Sequence, residues 1–142
     1  MYVGGKYRDV IKQSDTGTTI HESARAVLRG VMQYYLDSPS FTATSFELVN
    51  WARRQHGERG MAVFEEAFVT LRTVLSEAAS DHPIDADTIE EIAYVVSTLA
   101  DGFAANWLTF GDRDAALQQI EILTSVLGFW LTGRLAHAAA AS

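Results

Sequence analysis

The sequence predicts an all-α protein, a bundle of five to six helices. Three observations predict it. Apolar residues recur at spacings of three and four along nearly the whole chain, and no stretch of useful length alternates with period two. The breaks are few and regularly placed: Ser38-Pro39-Ser40, Gly57-Glu58-Arg59-Gly60, Asp81-His82-Pro83 and Gly111-Asp112. The chain has 142 residues, 48% of them hydrophobic, which suits one domain that buries roughly 70% of its unfolded surface without staples.

Each helix has its own signals. Residues 1–18 are polar and contain glycine, with a possible short helix near 6–14. The first long helix is expected over 19–37. Thr19 and Glu22 stand at capping-box spacing, and Ile20, Ala24, Val27, Leu28, Val31, Met32 and Tyr35 form its stripe. The second spans about 40–56 and carries Phe41, Phe46, Leu48, Val49 and Ala52, with Ser38 or Ser40 as cap and Pro39 tolerated in the first turn. The third, about 58–80, lines up Met61, Phe64, Phe68, Leu71, Leu75 and Ala78. The fourth, about 86–110, has competing caps in Asp85 and Asp87 and a stripe from Ile89 through Val96 and Phe103 to Trp107. The fifth is expected over 113–136 behind Asp112, with the Ala-rich tail, 137–142, fraying.

That fifth helix is apolar on two opposed faces. At 100° per residue, Ala116, Ile120, Leu123, Leu127, Leu131 and Leu135 share one side, and Ile122, Val126 and Phe129 lie opposite with Gly133 beside them. Both sides need cover. Burial within one monomer is one solution. A second copy is the simpler one, because two-fold homodimers predominate among oligomers.

Composition excludes several functions. Cysteine is absent, so disulfide scaffolds and thiolate metal sites are ruled out. Eleven Lys and Arg against 18 Asp and Glu give a formal charge of −7, which repels phosphate backbones and argues against nucleic-acid binding by this chain alone. No apolar run is long enough for a transmembrane helix, and the N-terminus lacks the apolar stretch of a signal peptide. The expected location is therefore the cytoplasm, with no membrane partner. His21, His56, His82 and His137 form no helical metal-ligand pair, so no metal site is expected. Glu65-Glu66 and Glu90-Glu91 are neighbours that diverge by 100° on a helix and read as solvated faces. No nucleophile elbow or phosphate loop occurs. No catalytic residue or cofactor is therefore assigned, and the expectation is a protein that is not an enzyme. Gly102 and Gly128, isolated within helices, suggest close helix packing.

The aromatic and methionine inventory suggests an apolar cavity with a few polar anchors. Trp51 projects about 160° from Val49, away from the main stripe of its helix. The candidate ligand-binding residues are Met32, Tyr35, Phe46, Asn50, Trp51, Phe64, Phe68 and Phe103. The candidate dimer contacts are Val96, Phe103, Ile122, Val126, Phe129 and Gly133.

Several strings carry a resemblance. Tyr34-Tyr35-Leu36-Asp37-Ser38-Pro39 closes the first long helix. Leu99-Ala100-Asp101-Gly102-Phe103, then Asn106-Trp107-Leu108 and Gly111-Asp112-Arg113-Asp114, lead from the penultimate helix into the last. With the helix order over residues 19–136, they resemble the C-terminal ligand-binding and dimerisation domain of TetR-type transcriptional repressors. Tyr2-Val3-Gly4-Gly5-Lys6, followed by Val10-Ile11, resembles the end of that family's helix-turn-helix domain, with a shortened Tyr-to-Lys spacing and Val3 in place of an aromatic residue. The resemblance implies a homodimer through a four-helix interface of the last two helices, and a cavity for a small-molecule effector. It also implies DNA contact only through a domain missing from these residues, with 1–18 a remnant of it or linker from it. Two other readings stay open: a stand-alone helical binding or interaction protein, and a small helical enzyme using a buried carboxylate or histidine.

Overall fold

A computed structural model describes residues 3–14, 19–55, 58–79 and 84–141, with side chains described for all of these except 3–5, 7, 58–64, 66–67 and 141. Six helices follow in order: α1 (Val3–Ser14), α2 (Ile20–Asp37), α3 (Pro39–Arg54), α4 (Glu58–Ala78), α5 (Ala86–Phe110) and α6 (Arg113–Ala141). Among the described residues there is no strand. The five long helices expected from periodicity are α2 to α6. His56, Gly57 and the Asp81-His82-Pro83 string lie outside the described residues, while Glu58, Arg59 and Gly60 of the other break string open α4.

Local chemistry sets the helix ends. Thr19 caps α2: its hydroxyl accepts from the Glu22 backbone N–H at 3.1 Å. Of the two competing caps on α5, Asp85 is used; it accepts from the Thr88 N–H at 2.7 Å. Gly111 ends α5 in the left-handed region at φ 62°, where a side chain would be strained, and its N–H returns to the Trp107 carbonyl. Asp112 then accepts from the Ala115 N–H at 3.1 Å and starts α6. Pro39 opens α3 in the first turn, where its missing N–H costs nothing.

α2 is the central element and packs against α1, α3, α4, α5 and α6. Its stripe from Ile20 through Ala24, Leu28 and Met32 to Leu36 is buried. Leu71, Val74 and Leu75 of α4 and Ile92, Val96 and Phe103 of α5 meet it in one core. The inner side of α6, Ala116, Ile120, Leu127 and Leu131, closes that core. At the α2–α3 elbow the Phe41 ring sits edge-on to Tyr34 at 5.0 Å and stacks on Tyr35 at 6.4 Å. The buried Thr42 hydroxyl lies 2.9 Å from the Tyr35 carbonyl and 3.1 Å from that of Ser38. These contacts explain why the chain reverses at Ser38 without a loop.

The short helix expected near 6–14 is present and longer: residues 3–14 form α1, and Val10 and Ile11 are buried against the bundle. The contact is close. A Cβ at Gly30 of α2 would lie 2.0 Å from the Ser14 hydroxyl, so α1 approaches α2 where only glycine fits. At the other end α6, expected to end near 136, continues to Ala141, as the high helix propensity of consecutive alanines favours.

Polar links tie α6 to its neighbours. Arg29 of α2 forms a two-pronged ion pair with Glu121. Arg113 reaches Asp37 at 3.1 Å, and Asp37 also accepts from Gln33; these bonds hold its carboxyl below the usual range. His21 Nε2 lies 3.2 Å from the Gly128 carbonyl and 3.3 Å from the Thr132 hydroxyl, so this histidine is half-buried rather than a free surface residue. Gly128 packs closely, as expected: a Cβ there would lie 3.3 Å from Arg25 Nε. Gly102 does not, since a Cβ there would meet open space.

Candidate functional site

The outward side of α6 exposes a row of large apolar side chains. Phe129 is 82% exposed, Ile122 59% and Val126 48%. These are large apolar side chains on successive turns of one helix face. Gly133 and Ala136 are exposed beyond them. Between Ala115 and Ala141 the formally charged residues are Glu121 and Arg134. Both pair with neighbouring helices: Glu121 with Arg29 of α2 in a solvent-exposed pair, and Arg134 with Glu91 of α5 at 2.6 Å and with the buried Thr88 hydroxyl at 3.0 Å. The outer face is therefore left without formal charge in a protein of net −7.

The apolar character continues onto α5. Tyr94 is 64% exposed. With Phe68, Val95 and Trp130 it lines an open groove of about 630 Å³ between α4, α5 and α6, edged by Asp87, Glu90 and Glu91. Glu91 is held by Arg134, and Glu90 lies 3.4 Å from Arg72. At about 200 Å² per aromatic residue, Phe129 and Tyr94 leave roughly 300 Å² in water. Ile122 and Val126 extend the Phe129 patch along α6.

The candidate seam residues divide cleanly. Ile122, Val126, Phe129 and Gly133 lie on this outer face. Val96 and Phe103 do not; they are 3% and 1% exposed and face the core between α2 and α5. This corrects their assignment to an interface. The helical count placed them on the same stripe as Ile89 and Ile92, and that stripe is the one α2 covers.

The candidate ligand residues are distributed more widely. Met32, Tyr35 and Phe103 are fully packed in the core. Phe46 is partly buried against that core, Trp51 is half-buried and Asn50 is exposed, all three on α3. Phe68 belongs to the α4–α5–α6 groove. Phe64 lies outside the residues whose side chains are described. The eight residues thus do not line one common cavity among the described residues.

Three residues of interest were not singled out from sequence: Tyr94, Trp130 and Asp101. Tyr94 could have been found, since at 100° per residue it lies 160° from Val96, opposite the core stripe of α5. Asp101 needed the tertiary structure. Its residue surface is open to solvent, yet surrounding protein pushes its carboxyl up to about 6, tempered by the charge of Arg53 from α3. A raised carboxyl favours the folded state when protonated. Asp101 thus contributes stability that is fully present below its unfolded value near 4 and lost as pH rises through about 6. Replacing Asp101 by Asn should flatten that part of the stability–pH curve. Water at its open edge screens the charge, so the gain at pH 7 should be only about 1 kcal/mol. Urea titrations of both proteins at pH 4, 5, 6 and 7 measure it, and parallel curves would disprove the assignment.

Among the described residues no group of His, Asp and Glu is arranged to hold a metal ion, and no helix is long and apolar enough to cross a membrane. Comparison of the chain with family models, with curated proteins and with solved structures finds no match.

Proposed function

We propose that the chain is the effector-binding and dimerisation domain of a TetR-like transcriptional regulator, working in the cytoplasm as a homodimer. The observation that carries this reading is the uncharged apolar face of α6, centred on Phe129. Covering it with a second copy removes the exposed rings from water at about 25 cal/mol per Å². It also brings together surfaces without net charge, as interface cores favour. The long final pair of helices, joined at Gly111-Asp112, supports the same reading.

A regulator of this kind senses a small apolar or amphipathic molecule. Such a ligand acts only by binding one arrangement of the dimer more tightly than another. The half-buried Phe46 and Trp51 on α3 support a ligand site on that side of the bundle. DNA would be contacted through a domain outside these residues, since a net charge of −7 does not attract a phosphate backbone.

Sedimentation of the chain at micromolar concentration tests the reading. The expected species has twice the 15.6 kDa chain mass. A monomer persisting at 100 µM or so would overturn it. A thermal-shift survey of small amphipathic compounds tests the sensor half. Any stabilising compound should lose its effect in Trp51→Ala.

A further inference from the structure

The outer face of α6 also determines how a second copy would sit on it. We propose that two copies pair antiparallel along α6, with the two-fold axis passing between Leu127 and Gly128; this rests on the self-association reading above. Ala115, Gln119, Ile122, Val126, Phe129, Gly133, Ala136 and Ala140 form one stripe along α6. Their separations alternate four, three, four, three, which is the 3.5-residue repeat of helices that pair lengthwise. None carries a formal charge.

The order of sizes along that stripe selects the direction. About an axis between 127 and 128, Phe129 of one copy faces Val126 of the other, and Ile122 faces Gly133. Gln119 faces Ala136, and Ala115 faces Ala140. Every layer then joins a larger side chain to a smaller one, or two alanines, so bulk is spread along the seam. Parallel pairing in register would instead stack Phe129 on Phe129 and Gly133 on Gly133. One layer would be crowded and another empty, and both faults cost stability. Antiparallel helices also set their macrodipoles in the favourable sense.

The register follows from helix length. α6 runs from Arg113 to Ala141, so its midpoint is Leu127. Pairing about an axis half a residue from that midpoint overlaps the two helices over about 42 Å and uses all eight stripe positions. Shifting by one heptad leaves stripe positions unpaired. The site is open to such a partner: a Cβ on Gly133 meets no atom of its own chain within 4 Å, which leaves room for the partner's Ile122. Two helices alone cover less than the roughly 800 Å² per partner of a standard interface. Trp130, next in sequence to Phe129, and Tyr94 of α5 line the α4–α5–α6 groove.

The chain has no cysteine, so introduced thiols report without background. The double variant Ile122→Cys/Gly133→Cys, mildly oxidised, should form a covalent dimer at least 10-fold faster than either single variant. In the single variants the like thiols lie about 16 Å apart along the helix axis, beyond disulfide reach. Gln119→Cys/Ala136→Cys, whose like thiols lie about 25 Å apart along the helix axis, tests the same axis from an outer layer, and circular dichroism checks that each variant is folded. Rapid cross-linking of Ile122→Cys alone would show parallel pairing and overturn the proposal. A dimer by sedimentation with neither double variant cross-linking would overturn the register and leave self-association standing. A wild-type monomer would overturn both.

Discussion

Phe129→Asp should abolish self-association while leaving the fold of each copy unchanged. A two-fold seam carries the substitution twice. Each copy loses the burial of one phenyl ring, worth about 1.5–3 kcal/mol, and gains a carboxylate that must be desolvated. At 1.4 kcal/mol per factor of ten, the two rings alone predict an association constant weakened by at least about 100-fold. The same side chain is 82% exposed within its own chain, so circular dichroism and the urea midpoint of the isolated monomer should not move. This separates an interface role from a core role. Sedimentation equilibrium of both proteins makes the measurement. Unchanged association in Phe129→Asp would remove α6 from the interface.

Phe103→Ala should produce the opposite pattern. Phe103 is the largest fully buried side chain of the core, against α2 and its neighbours. Truncating a buried phenylalanine removes its transfer energy and leaves a cavity that closely packed helices refill only partly. The expected loss is about 3–5 kcal/mol, a large share of the stability of a domain this size. Urea denaturation measures it, and a loss below about 1 kcal/mol would show that the site collapses around the smaller residue. If the variant remains folded at low temperature, its association should match wild type, because Phe103 does not reach the outer surface. A selective loss of association would return Phe103 to the seam.

The two substitutions separate roles that one helical stripe blurred. Val96 and Phe103 had the spacing of interface residues because any apolar stripe has it. Whether α2 or a second copy covers that stripe depends on where α2 lies, and no local pattern in α5 specifies that. α6 differs because it carries two apolar faces, and one neighbouring core can cover only one of them. Its exposed face could therefore be foreseen from Ile122, Val126 and Phe129.

The helix ends were legible for a related reason. Thr19, Asp85, Gly111 and Asp112 act on amides or carbonyls within four residues, so their effects are written in adjacent sequence. The polar links between helices were not legible. Glu91 reads as a solvated residue until Arg134, 43 positions away, is brought to it. His21 reads as a surface residue until α6 presents the Gly128 carbonyl. Gly30 carries no signal of its own and is required only because Ser14 of α1 lies against it.

The sequence by itself determined the all-α class, the caps at Thr19 and Asp112, the Gly111 turn, and the double-faced character of α6. Each depends on interactions within a few turns of one helix, where spacing and side-chain chemistry suffice. Only the tertiary structure decided which apolar stripe is buried within the chain, which partners the charges of α6 find on neighbouring helices, and which carboxyl is crowded enough to hold its proton toward pH 6. Those outcomes depend on contacts between residues far apart in the chain, where burial and pairing are set by how whole helices pack.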